Sequence, residues 1–150
     1  MEVLTWRDLD FGGVIVAGLV AGYVMAVAGL WAGKVPGLVS FDIADYGRRY
    51  MVSDRPSAWL LGFVSHLANS VVLVFVWASL IEPNLEWPRP LTGLAWGLFL
   101  LVTLAGSIVM PLSGVGFMGR KTRNPRLAFT ALLLHALWGL VIGLVYVPPS

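Results

Sequence analysis

Four long apolar segments, separated by short polar stretches, dominate the chain. They cover about residues 11–32, 57–81, 91–112 and 127–147, which we call spans one to four. None of them contains Asp, Glu, Lys or Arg. A helix of about 20 apolar residues crosses the hydrocarbon core of a bilayer. The stretches between the segments, such as "EPNLEWPRP" and "PLSGVG", are rich in Pro and Gly, which stop helices. The pattern predicts an all-α membrane protein, with four transmembrane helices packed as one domain over residues 1–150.

The composition supports a membrane protein. Of the 150 residues 58% are hydrophobic and 12% are charged, whereas a soluble domain has roughly 25% charged residues. The absence of cysteine excludes disulfides, thiolate metal sites and covalent c-type haem attachment. The N-terminal "MEVLTWRDLD" lacks a basic region, so we expect no cleavable signal peptide.

The distribution of Lys and Arg predicts how the chain is oriented. Loop one connects spans one and two, and loop three connects spans three and four. Together these loops carry 8 of the 10 basic residues: Lys34, Arg48, Arg49, Arg55, Arg120, Lys121, Arg123 and Arg126. The positive-inside rule then places both loops in the cytoplasm and both termini on the other side of the membrane. This placement explains the net charge of +2 without nucleic acid as a partner. We expect Arg48, Arg49, Arg120 and Lys121 to contact anionic lipid or a partner subunit. Aromatic residues near the span ends predict an interfacial belt: Trp6, Trp31, Trp59, Trp77, Trp87 and Tyr146.

Loop one is longer than a turn requires, and it contains "SFDIADYGRRYMV". Asp42 is a candidate N-cap, and Asp45 can pair with Arg48 or Arg49. The stretch predicts a short amphipathic helix on the cytoplasmic surface, because apolar and aromatic side chains recur at helical spacing: Ile43, Tyr46 and Tyr50.

The sequence predicts an internal repeat, in which a hairpin of two helices occurs twice. Spans two and four align at an offset of 69, which matches Pro56 with Pro125 and His66 with His135. Spans one and three align at an offset of 75, which matches the glycines Gly18 and Gly22 with Gly93 and Gly97. A repeat of two spans keeps its orientation, so we expect a pseudo-two-fold axis along the membrane normal.

The two histidines fall at equal depth in this arrangement. Each follows its proline by ten residues, which at 1.5 Å per residue is roughly 15 Å into the bilayer. Spans two and four are diagonal neighbours in an up-down-up-down bundle, so His66 and His135 can face each other. We expect small and polar residues to line the interior around them: Gly18, Gly22, Ser65, Asn69, Ser70, Gly93, Gly97, Gly139 and Gly143.

An ionisable side chain at the bilayer midplane indicates a functional site, and several interpretations are open. The histidines can be structural, as neutral imidazoles bonded to Ser65, Asn69, Ser70 or Thr103. They can be the two axial ligands of one b-type haem, held between parallel helices as in four-helix membrane cytochromes b. They can bind a metal, with Met25 or Met110 adding thioether ligands for Cu(I). A proton relay is less favoured, because the spans contain no carboxylate.

Three stretches carry a resemblance to a known family: "WLLGFVSHLANSVV", "VMPLSGVGFMG" and "LLLHALWGLVIGLVYV". The chain resembles, from about Gly18 to Val147, an uncharacterised family of small prokaryotic four-helix membrane proteins, described as a domain of unknown function. Some members are encoded near terminal oxidases, which implies a respiratory setting. The family has no agreed functional residues to transfer.

The sequence shows no catalytic constellation, so we expect no enzymatic activity. It predicts a small integral-membrane subunit of a respiratory or electron-transfer complex, with other membrane subunits as partners and one haem b between His66 and His135. A structural or assembly subunit without a cofactor is the main alternative. A small transporter is less favoured, since transporters usually have charged or discontinuous helices.

Overall fold

The structure is a computed structural model that describes residues 8–51 and 53–147, and within those ranges every regular element is helical. Four helical stretches are long and apolar enough to cross a membrane: Phe11–Ala32, Pro56–Asn84, Arg89–Leu112 and Pro125–Val145. They confirm the predicted all-helical, four-span protein. The α-helices are α1 (Phe11–Ala32), α2 (Ile43–Met51), α3 (Trp59–Val76), α4 (Arg89–Leu100), α5 (Met110–Leu112) and α6 (Pro125–Val145).

Spans two and three change from α- to π-helical geometry before they end. The π-helical segments are Trp77–Ile81 and Leu101–Val109, and each lies just before a proline, Pro83 or Pro111. Proline has no N–H to donate, so a regular α-helix would leave a carbonyl unpaired there. In the wider turns of a π-helix, each N–H donates to the carbonyl five residues earlier instead of four. Met110 N–H, for example, donates to Ala105 O. Pro83 and Pro111 are each the second-last residue of their span, and these spans end at Asn84 and Leu112.

Helix contacts give the order α3, α1, α6, α4 around the bundle. Helix α1 packs against α3 and α6, and α6 packs against α4. Helix α4 meets span two at Trp77–Ile81, close to one end of the bundle. Spans two and four are therefore diagonal, and spans two and three diverge away from that end.

Glycines let two pairs of helices approach to backbone contact. A Cβ on Gly18 would lie 2.6 Å from Val71 Cα, and one on Gly22 would lie 3.0 Å from Ser70 Cβ. On the other hairpin, a Cβ on Gly93 would overlap the carbonyl oxygen of Gly139. These glycines form the α1–α3 and α4–α6 contacts.

Helix α2 begins as its sequence predicts. The Asp42 carboxylate accepts from Asp45 N–H at 3.0 Å, as an N-cap does. Asp45 pairs with Arg48 and also with Arg49, the latter at 2.7 Å. Helix α2 also packs closely against α3 at a glycine, because a Cβ on Gly62 would overlap Ala44 O.

The four basic residues expected to contact lipid or a partner are not equally exposed. Arg48 is only 6% exposed, and its Nη1 donates to Ser53 O. The reason is the close α2–α3 contact, which buries the face that carries it. Arg49, Arg120 and Lys121 are exposed.

The predicted aromatic belt is also only partly present. Trp31, Trp59 and Trp87 are exposed, while Trp6 lies outside the described residues. Trp77 and Tyr146 are wholly buried and pack edge to face, with ring centroids 5.6 Å apart. They join the ends of spans two and four instead of facing lipid headgroups.

Candidate functional site

A cavity of about 110 Å³ lies inside the bundle, lined mainly by spans two and three and by residues 41–47, with His135 and Trp138 from span four. It has room for several water molecules, since one water needs about 10–15 Å³ on the same scale. Both histidines border it, which brings together the two residues that the sequence placed at equal depth. Its wall is formed by Met25, Phe41, Ile43, Tyr46, Gly47, His66, Asn69, Ser70, Leu73, Leu100, Leu104, Ala105, Val109, Met110, His135 and Trp138.

His66 is tied to the neighbouring helix α1. Its Nε2 lies 3.0 Å from the carbonyl oxygen of Gly22. A carbonyl oxygen can only accept a hydrogen bond, so Nε2 must carry the proton and donate it. The neutral ring then has an unprotonated Nδ1 with a free lone pair.

His135 is oriented by its own helix. Its Nδ1 lies 2.8 Å from the carbonyl oxygen of Ala131, one turn earlier. By the same reasoning Nδ1–H donates, and Nε2 keeps its lone pair. Metal-binding histidines commonly donate one ring N–H to a backbone carbonyl, which fixes the tautomer and the ring orientation. His135 therefore has the arrangement of a ligand side chain.

The partners of the histidines differ from those expected. The sequence suggested Ser65, Asn69, Ser70 or Thr103, yet the bonds described above go to backbone carbonyls. The Thr103 hydroxyl donates to Phe99 O on its own helix and is exposed.

Ser70 connects three helices beside the histidines. Its hydroxyl donates to Gly18 O at 2.6 Å and accepts from Trp138 Nε1–H at 2.7 Å. Because Ser70 follows His66 by one turn and Trp138 follows His135 by three residues, the indole crosses the diagonal next to the imidazoles. The sequence placed Ser70 in the interior but missed Trp138, although "HALW" and "HLANS" put both within one turn of a histidine.

Haem would need the cavity to widen before it could lie between the histidines. Pockets for drug-sized ligands are roughly 300–1,000 Å³, and the cavity of about 110 Å³ is smaller. The bond from Trp138 to Ser70 also spans the diagonal that the porphyrin ring would have to occupy. Haem ligation stays a prediction, and it requires Trp138 to move away from Ser70.

The other residues predicted to line the interior are buried or half-buried. Ser65 and Asn69 are half-buried, and Asn69 and Ser70 border the cavity. The remaining ones lie in the helix contacts: Gly18, Gly22, Gly93, Gly97, Gly139 and Gly143 are all buried.

The cavity wall carries no formal charge in the described part of the chain. No Asp, Glu, Lys or Arg side chain borders it. Burial raises the pKa of the Tyr46 phenol, with Arg49 acting in the opposite direction, so Tyr46 is neutral at physiological pH. The described residues also contain no group of three or more His, Cys, Asp or Glu able to hold a metal. A metal in this cavity would need ligands of another type beside the two imidazoles.

Met25 and Met110 are candidate ligands of another type, because each carries a thioether sulfur. Met25 lies on α1 and is 5% exposed, and Met110 begins α5 and is 2% exposed. Both border the cavity together with His66 and His135.

No family model, curated protein or solved structure matches this chain. The resemblance to an uncharacterised family of small membrane proteins therefore stays a prediction.

Proposed function

We propose that the protein is a small, non-enzymatic membrane subunit of a respiratory or electron-transfer complex, and that it acts through the two-histidine cavity. In this proposal it lies in the prokaryotic cytoplasmic membrane, with loops one and three in the cytoplasm and both termini outside. The exposed basic residues of those loops support this orientation, because they are the ones the positive-inside rule counts.

The observation that carries the proposal is the meeting of two imidazoles at one cavity inside four membrane-spanning helices. Ionisable side chains are rare in membrane spans, and where they border a cavity they usually serve a function. Each imidazole also has one ring nitrogen that its backbone bond leaves free. A subunit that only holds helices together has no need of a cavity between its histidines.

Helix contacts support the repeat on which the two-histidine site depends. Gly22 meets Ser70 across α1 and α3, and Gly97 meets Gly139 across α4 and α6. The two contacts correspond under the offsets of 75 and 69. A repeat of this kind supports a shared site on the pseudo-two-fold axis.

A structural or assembly subunit without a cofactor is the second candidate. The bond from His66 to Gly22 favours it, because that bond joins α3 to α1. A transporter has less support, because the cavity wall in the described residues lacks the charged groups that usually bind a substrate or coupling ion.

Purification from membranes of its own host distinguishes these functions. We expect the tagged protein, extracted in mild detergent, to copurify with integral-membrane redox subunits and to carry a metal or haem. His135→Ala should remove that cofactor while leaving the protein level unchanged. Leu133→Ala is the matched control, since Leu133 lies on the same helix and is 39% exposed.

The cofactor is read from metal analysis together with a reduced-minus-oxidised spectrum. A haem band that disappears in His135→Ala would establish the haem b ligation predicted from sequence. A stable, isolated protein without partners or cofactor would contradict the proposed function and favour the structural alternative.

A further inference from the structure

Two thioethers and two imidazoles border the cavity from four different elements. They are the thioethers of Met25 on α1 and Met110 on α5, and the imidazoles of His66 on α3 and His135 on α6. Within the described part of the chain, no carboxylate or amine borders the same space. We propose that these four side chains form a binding site for one Cu(I) ion, a proposal that rests on the proposed function for its setting and names the class of its cofactor.

The ligand types select the metal. Thioether sulfur is a soft ligand that favours Cu(I), and imidazole binds copper as well. Zinc is held by thiolates, imidazoles and carboxylates, usually three or four of them from the protein, and the wall offers only two. Magnesium and calcium are bound mainly by carboxylate and other oxygen ligands, and among the described residues this wall offers no carboxylate, only the side-chain oxygens of Tyr46, Asn69 and Ser70.

The charge of the ion points to the same metal. Moving an ion into a medium of low dielectric constant is costly, and the cost grows with the square of its charge. The four ligands are neutral, so nothing in the wall offsets the charge of a bound metal. The desolvation penalty of a monovalent ion is therefore about a quarter of that of a divalent ion of the same size, and Cu(I) is monovalent.

The tautomers leave the required nitrogens available. His135 donates Nδ1–H to Ala131 O and keeps the Nε2 lone pair, while His66 donates Nε2–H to Gly22 O and keeps the Nδ1 lone pair. Neither imidazole has to lose a proton or its backbone bond before it binds a metal. The two backbone bonds also fix the tautomer of each ring.

Methionines more often fill irregular gaps in a core, and the chain contains one that does so. A Cβ on Gly106 would meet the Met118 sulfur, which shows that this sulfur occupies the space beside the π-helical segment. Met25 and Met110 also belong to the buried core, but they border the space of about 110 Å³ beside the two histidines, whereas Met118 does not. Met118 is therefore a matched control for the two cavity methionines.

The test is an anaerobic Cu(I) titration of the purified full-length protein in detergent, with ascorbate as reductant and a chromophoric Cu(I) chelator as competitor. We expect one Cu(I) per chain and an X-ray absorption spectrum that shows both nitrogen and sulfur ligands. Loss of one ligand should weaken binding by about tenfold or more, since even the loss of a group that only supports a ligand has an effect of 10–100-fold. His135→Ala and Met110→Leu should both show this effect, and Met118→Leu should bind as wild type does.

Folding is checked by circular dichroism, and Met110→Leu keeps the side-chain volume, so it should fold as wild type does. Absence of Cu(I) binding by the folded wild type would overturn the proposal. So would binding that persists in both His135→Ala and Met110→Leu, or a copper site with oxygen ligands only. Copper retained by a protein that copurifies with no redox subunit would overturn the proposed function alone. A protein that copurifies with its partners but binds no Cu(I) would overturn the copper site alone.

Discussion

Gly97→Ala should lower the free energy of unfolding by about 2–3 kcal/mol, within the usual range for overpacking. A Cβ at this position would overlap His135 O and would lie 3.2 Å from Gly139 Cα. Both obstacles are backbone, so no side chain can rotate away, and α4 must separate from α6. Alanine is otherwise the better helix former by about 1 kcal/mol, so a loss of stability reports the contact itself.

Gly12→Ala is the matched control for this prediction. Gly12 is exposed in the first turn of α1, and its added Cβ would meet only the Asp10 carboxylate, at 3.2 Å. That side chain can move, so stability should stay the same or rise. Unfolding of the purified proteins in mixed micelles, followed by circular dichroism against SDS fraction, measures both. Equal stability of Gly97→Ala and wild type would show that α4 and α6 do not touch along these glycines.

Ser70→Ala should have the second largest effect, a loss of about 1–2 kcal/mol. The substitution removes the bond to Gly18 O and leaves the buried Trp138 indole N–H without its acceptor. Hydrogen bonds between membrane helices average about 0.6 kcal/mol and reach about 1.7 kcal/mol. This serine should be near the upper end, because one hydroxyl joins three helices.

Two further variants isolate the Ser70 effect. Thr103→Ala removes a hydroxyl that bonds within its own helix at an exposed position, so it should change little. In a double-mutant cycle, Ser70→Ala should destabilise Trp138→Phe less than wild type, because the indole donor is already gone. The same unfolding titration gives all four values. Additive effects of Ser70→Ala and Trp138→Phe would contradict the bond between them.

The four spans could be predicted from sequence because their signal is simple. Length and lack of charge are enough to identify a membrane helix, and the described bounds agree with the predicted ones to within a few residues. The N-cap of α2 was also predictable, because Asp42 acts on a backbone group only three residues away.

The π-helical segments and the buried aromatic pair could not be predicted in the same way. Pro83 and Pro111 break the α-helical hydrogen-bond pattern, but whether a helix stops or widens depends on the neighbours that hold it. Trp77 and Tyr146 lie at span ends like belt residues, and their burial arises from contact between two helices 69 residues apart. The sequence around either residue does not predict a contact with a helix so far along the chain.

The residues of the site could be predicted from sequence better than its shape could. The repeat predicted from sequence places His66 and His135 at equal depth, and both border one cavity. The roles of the glycines and of Trp138 depend on helix rotation, which a weak apolar pattern does not fix. A glycine column is compatible with a wide interior or with a close contact, and here it forms the contact.

The most direct measurement is oxygen consumption by membranes of the host, prepared from strains with the wild-type gene, with His135→Ala, with Leu133→Ala and with the gene deleted. The proposed function predicts that His135→Ala membranes respire as slowly as those of the deletion strain, at equal protein level, while Leu133→Ala membranes respire as wild type. Wild-type respiration in the His135→Ala strain, or in the deletion strain, would contradict a respiratory role for the two-histidine cavity.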